Sequence, residues 1–244
     1  MGNEHAHHRT VDRVAQLLDA VVARPEGATL TVLARALGAP VSSVQKLVDG
    51  LVAVGYLDET ERRYRLGPAP SVLAIRAGRP SVRVRHADLA TLSARVGLPT
   101  QLAVRVGDDG VWVDRAGADE ALDYALSSRA RHPLTESAAG RVLLAHLPPA
   151  VRRTVVTRAR SGDPAETVAL LDAADRIRGA GHETGESGRL LPGALAVAVP
   201  VWDEGRAGVE VVAAVSVVDR GAGLAGRLGE VLATLRQVAD APGA

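Results

Sequence analysis

Apolar residues recur at Val11, Val14, Leu18, Val21 and Val22, the spacing of one face of a helix. Thr10 precedes this run as a capping residue, and Pro25 and Gly27 end it. "ATLT" then reads as a short extended piece. Thr31 caps a second helix predicted over Val32 to Leu37 and ended by Gly38. Pro40 opens a third, with Val44, Leu47, Val48 and Leu51 on one face and Gly55 at its end. "GYLDE" and "RYRLG" follow as two strands around Thr60, Glu61 and Arg62. Helix, short strand, helix, turn, helix and hairpin is the order of a winged helix-turn-helix, and "GAP" is the short, Gly-containing turn that the motif needs.

The pattern changes after Gly67. Residues 67–87 hold no acidic residue but carry Arg76, Arg79, Arg83, Arg85 and His86, with Pro68, Pro70 and Pro80 between them. This stretch reads as a linker with one short helix, Ser71 to Ala77. Leu89, Leu92 and Val96 mark a helix stopped by Gly97. "TQLAVRV" and "GVWVDRA" flank "GDDG" as a hairpin. "TESAAGRVLLAHL" is a helix, and residues 149–180 hold two more, broken at Gly162–Pro164. "ALAVAVPVW" and "EVVAAVSVV" are strands around "DEGRAG", and Leu224 to Ala239 closes the chain as a helix. Consecutive strands in hairpins, flanked by helices, predict a mainly antiparallel sheet in an α/β or α+β domain.

The bulk numbers narrow the function. Apolar residues make up 47% of 244, enough for a sizeable core. The chain has no Cys, so disulfides, thiolate zinc sites and cysteine nucleophiles are excluded. Net charge is +1, so any nucleic-acid role must come from local patches. Residues 10–68 carry seven basic and seven acidic groups, which predicts modest non-specific DNA affinity and reliance on dimerisation. No apolar run reaches membrane-spanning length and "MGNEHAHHRT" lacks an apolar signal core, so a cytoplasmic protein without a membrane partner is expected.

In their order and spacing these pieces resemble the IclR-type family of bacterial transcriptional regulators. The resemblance spans residues 10–240. It rests on "TVDRVAQLLDAV", "LTVLARALGAPVSSVQKLVDGLVAVGYL" and "RYRLG", then on "PLTESAAGRVLLAHLP", "LLPGALAVAVPVWDE" and "VVAAVSVV". It implies an α+β chain, with an N-terminal winged helix-turn-helix joined by a linker helix to a GAF-like α/β effector-binding domain. The boundaries expected are a disordered tail (1–9), DNA-binding domain (10–68), linker (69–80) and effector domain (81–244). The resemblance also implies an operator bound by dimers or dimers of dimers, and a response to small organic acids or aromatic metabolites.

The third helix carries Ser42, Ser43, Gln45 and Lys46, short polar groups near its N-terminus, where a recognition helix meets base edges. The family pattern has Ser-Thr and then Arg there. Lys46 cannot reproduce the bidentate fork of Arg at guanine, which points to an unusual operator. Arg62, Arg63 and Arg65 on the hairpin suit phosphate contact or minor-groove insertion. The competing reading is a protein-interaction winged helix with a solvated charged face.

By resemblance, the effector site takes the backbone N–H groups of Ala138 and Ala139, which suit a carboxylate. It also takes Glu186, Ala194, Ala196 and Ser216, with Tyr124 and His132 on the facing segment. Thr135, Glu136 and Ser137 stand in place of the family's His-Ala-Ser, Gly140 and Arg141 in place of Gly-Lys, and Val218 in place of a second Ser. Small walls at Ala194 and Ala196 predict a mostly apolar pocket for a ligand bulkier than a very small acid. Equally, these Ala and Val residues suit an ordinary core.

Other motifs carry no chemistry. "GAGLAG" (221–226) fits the dinucleotide pattern, but the 18 residues after Gly226 leave no room for a second strand or a ribose-binding acid. A phosphate loop lacks its lysine, since Lys46 is the only one. His5, His7 and His8 lie in the tail, and His86, His132, His146 and His182 have no ligand spacing. Asp108 and Asp109 belong to a turn. Neither a cofactor nor a metal is expected, and enzymatic activity is not. The alternatives carried forward are a small-molecule sensor or enzyme on the C-terminal domain, or an adaptor without specific DNA binding.

Overall fold

Helix α1 (Arg9–Val22) buries Leu17 and Val21 and half-buries Val14 and Leu18. The computed structural model describes residues 8–77, 82–119, 131–159, 163–187, 191–205, 208–221 and 223–240. The predicted stripe is therefore rotated: Leu17 replaces Val11 and Val22, which face outward at 64% and 56% exposure. His8, not Thr10, holds the N-cap position. Strand β1 (Ala28–Thr29) leads into α2 (Leu30–Ala36), which begins two residues before the predicted start and is preceded by Thr29. Gly38 (φ +56°) makes the turn, and α3 (Val41–Ala53) buries Val44, Val48 and Leu51 as its spacing predicts. Strands β2 (Leu57–Thr60) and β3 (Arg63–Leu66) form the wing, and β1 pairs antiparallel with β3.

These elements share one core of Leu17, Val21, Leu33, Val44, Val48, Leu57 and Tyr64. Truncating a fully buried leucine such as Leu17 to Ala costs about 2–5 kcal/mol. Helix α4 (Ala69–Ala77) follows, starting two residues earlier than predicted, and leaves Val72, Leu73 and Ile75 exposed. Contacts divide the chain into two units, residues 1–79 and 80–244.

The second unit is built on a six-stranded antiparallel sheet in the order β6-β5-β4-β9-β8-β7. Its strands are β4 (Thr100–Val106), β5 (Asp109–Ala116), β6 (Arg131–Pro133), β7 (Glu183–Glu186), β8 (Leu195–Gly205) and β9 (Gly208–Asp219). Alternation along β8 and β9 sorts side chains by size. Ala196, Ala198, Ala214 and Val218 point to one face, and Val197, Val199, Val215 and Val217 to the other. On the valine face pack α5 (His86–Val96) and α9 (Leu228–Ala239). The closing helix thus begins at Leu228, after turns through residues 224–227. On the alanine face pack α6 (Ala138–Ala145), α7 (Pro149–Ala159) and α8 (Pro164–Ala180). Small residues there let α6 approach the sheet closely. This α+β architecture is the predicted fold class.

Candidate nucleic-acid interface and ligand site

Helix α3 presents Ser42, Ser43, Lys46 and Asp49 to solvent on the face opposite its buried valines. Gln45 is half-buried, and its Nε2 donates to Asp49 Oδ1 at 2.5 Å. Burial raises the pKa of Tyr64 in the wing, the neighbouring Gln45 side chain lowers it, and the Glu59 carboxylate raises it further. A groove of about 450 Å³, lined by Thr29, Thr31, Gln45, Glu59, Arg62 and Tyr64, runs between the start of α2, α3 and the wing.

The three wing arginines divide into two kinds. Arg63 Nη1 donates to the Gly27 carbonyl at 3.0 Å, and Arg65 donates to the carbonyls of Pro25 and Glu26 at 3.3 and 3.0 Å. Both hold down the turn between α1 and β1. Arg62 stands at the hairpin tip, exposed, beside Glu61. Both tip residues have positive φ, +52° for Glu61 and +58° for Arg62, as a two-residue hairpin turn requires.

In the second unit, Ala138 and Ala139 open α6, whose first amides have no acceptor within the helix. Ser137 caps the helix by accepting from Gly140 N at 3.0 Å. A side chain at Gly140 would come within 2.7 Å of the Leu134 carbonyl, so Gly lets this helix start sit against the 134 turn. Ala194, Ala196 and Ser216 are buried on the α6 face or beside it, and His132 is buried at the β6 end of the same face. Glu186 is not brought together with them. It is exposed and lies opposite Leu195, while Gly185 and Glu183 face Arg141 on α6. Arg141 Nε donates to Glu183 Oε1 at 2.7 Å, latching α6 to this edge strand. Tyr124 lies outside the described residues. A separate open groove of about 590 Å³ runs between α5 and β5, with none of the candidate ligand residues in its lining.

Two polar residues on the α6 face escaped the sequence reading. Trp112 on β5 packs under His132, ring centroids 4.1 Å apart and planes at 20°. Gln101 on β4 lies opposite Ser216 on β9. A glutamine and a tryptophan inside apolar strands were the available signal. Burial drives the His132 pKa down from 6.5 to about 4, so its imidazole is neutral at physiological pH. Among the described residues no helix is long and apolar enough to cross a membrane.

A winged helix-turn-helix followed by a sheet-and-helix domain with a polar patch inside it defines a DNA-binding regulator with a sensory domain. Residues 10–61 match the IclR helix-turn-helix domain, and residues 81–244 match the C-terminal domain of bacterial IclR transcriptional regulators. The chain belongs to the IclR family. It is 30% identical over 202 residues to a probable transcriptional regulator, SauR, of Cupriavidus necator, covering 78% of each chain. A solved IclR transcriptional regulator from Alicyclobacillus acidocaldarius superposes with a TM-score of 0.59 at 22% identity, covering 96% of this chain and 97% of that one. An IclR homologue from Microbacterium hydrocarbonoxydans, solved with 4-hydroxybenzoate, superposes with a TM-score of 0.56 at 25% identity, over 95% and 96%. The family is one of transcriptional regulators, which sets the enzyme alternative aside.

Proposed function

We propose that this IclR-family regulator acts in the cytoplasm as a homo-oligomer. It binds an inverted-repeat operator and changes its hold on DNA when a small organic ligand, acidic or aromatic, enters the second unit. The observation that carries the DNA reading is the outer face of α3. Ser42, Ser43 and Lys46 stand exposed there, with Arg62 at the neighbouring wing tip, in a domain (residues 10–68) whose basic and acidic groups, Lys46 and Arg62 included, are equal in number. Short donors and acceptors at the N-terminal end of a helix suit base edges, and the helix N-terminus suits phosphate. Gln45 is assigned a smaller share, since its amide already serves Asp49. Arg63 and Arg65 place part of their donor capacity on the protein's own carbonyls and keep the remainder for phosphate.

The ligand reading rests on the buried set around α6: Ala138, Ala139, Ala194, Ala196, His132 and Ser216, with Tyr124 assigned by motif. Glu186 is left at the rim. The Microbacterium homologue's 4-hydroxybenzoate supports an organic acid with a ring. Two arrangements of paired winged helices, bound by the ligand with different affinity, are enough to couple ligand to DNA.

Selection of genomic fragments by the purified protein near physiological salt tests this reading. Enrichment of a few sites sharing a two-fold-symmetric motif is expected. Broad recovery without a motif overturns operator recognition and favours the adaptor.

A further inference from the structure

Among the described residues, four buried nitrogen atoms on neighbouring strands β4, β5 and β6 have no hydrogen-bond partner. They are Gln101 Nε2, Trp112 Nε1, and Nδ1 and Nε2 of His132. Gln101 is 2% exposed, and Trp112 and His132 are 5% exposed. Native proteins leave only a few such groups unpaired per hundred residues, because each gives up water and receives nothing. Four together call for a partner that the described residues do not supply.

Register places all three side chains on the α6 face. Trp112 lies opposite Ala103 on β4, and Gln101 is two residues from Ala103 along the same strand. Gln101 and Ala103 lie opposite Ser216 and Ala214 on β9. Both alanines belong to the core under α6. His132 lies opposite Gly110. A side-chain carbon at Gly110 would come within 2.5 Å of the His132 Nε2, so the missing side chain lets the imidazole lie flat across β5 and onto Trp112. Around the donors the floor is Ala103, Ala198 and Ala214, flat and apolar.

The three groups carry no charge. The glutamine amide and the indole donate N–H. The neutral imidazole donates one N–H and accepts at its other nitrogen. Such a set matches oxygen acceptors on a molecule whose body is flat and apolar.

We propose that Gln101, Trp112 and His132 are specificity-determining residues of the ligand site. They read the acceptor oxygens of a planar ring carboxylic acid bound beside them on the α6 face of the sheet. The proposal rests on the reading of this unit as ligand-binding, and adds to it the residues and the chemistry that select the ligand.

The test uses the full chain and a panel of benzene and pyridine carboxylic acids, 4-hydroxybenzoate among them. Trp112 and Trp202 are the only tryptophans, so Trp202→Phe leaves Trp112 as the sole indole emitter. At least one acid is expected to change Trp112 emission and raise the Tm. Gln101→Leu is expected to weaken that acid's Kd about tenfold or more, as loss of a buried hydrogen bond does. The same variant is expected to raise the Tm of the ligand-free protein, because it removes an unpaired buried amide. Trp112→Phe keeps an aromatic ring on β5 and removes the indole N–H together with the ring that carries it, and provides the affinity readout if Gln101→Leu folds poorly. An acid that stabilises wild type, Gln101→Leu and Trp112→Phe equally overturns the proposal and leaves the ligand-binding reading intact. A panel with no binder overturns the ligand class. A lower ligand-free Tm in Gln101→Leu shows that the amide has a partner within the folded chain, and overturns the premise.

Discussion

The imidazole of His132 lies on the indole of Trp112 at 4.1 Å, sealed from water on the α6 side of the sheet. Burial holds its pKa at about 4, against 6.5 in the unfolded chain. Between these values the unfolded state binds a proton that the folded state does not. This contribution is therefore fully present above about pH 6.5 and lost as pH falls towards 4, by up to about 3 kcal/mol. His132→Leu should flatten the decline in urea-unfolding free energy over that window. Parallel pH profiles for the two proteins would sink the assignment.

Lys46 makes no ion pair among the described residues and stands on the exposed face of α3. Lys46→Ala should leave the Tm and far-UV circular dichroism unchanged. Operator affinity should fall about tenfold or more, and the salt slope of binding should drop by about one if the ammonium meets a phosphate. An unchanged Kd would refute the role.

Arg62 holds φ at +58°, a conformation that costs a non-glycine residue about 1 kcal/mol. Arg62→Gly should therefore stabilise the first unit by about that amount while weakening DNA binding. Tm and Kd measured on one preparation should both rise. A variant that gains stability and keeps full affinity would remove Arg62 from the interface.

Gly67 sits where a side-chain carbon would come within 2.4 Å of the Gly55 carbonyl oxygen. The same crossing carries hydrogen bonds from Gly67 N to Tyr56 O and from Ala69 N to Gly55 O. Gly67→Ala must push backbone apart, and should destabilise the unit by about 1–3 kcal/mol in chemical denaturation. A loss below about 0.5 kcal/mol would mean that the strands separate easily there.

Much of this was legible in the residue pattern. The valine and leucine spacing of α3, the "GAP" turn and the hairpin around Glu61 and Arg62 each state a local rule that the fold obeys. The exact face of α1 was not legible, because Val11, Leu17 and Val22 are equally apolar and only packing against α2 and β3 chooses among them. Arg63 and Arg65 look alike in sequence as surface cations; their work on the carbonyls of residues 25–27 depends on β3 lying beside that turn. Glu186 reads as a site acid by motif, and it is the β7 register that turns it away from α6. Gln101 and Trp112 were hidden for the opposite reason. They sit within strands whose neighbours are core, and only the pairing of β4, β5 and β6 puts them on the face that holds His132, with Trp112 against it.

The central claim is that α3 and the wing read DNA sequence. Its most direct test is a fluorescence-anisotropy titration of the full chain, at about 0.15 M salt, against a genome-selected site and a scrambled duplex of equal length. The account predicts tighter binding to the selected site by about a thousandfold or more. Equal affinity for the two duplexes, with only a shared salt dependence, would contradict it.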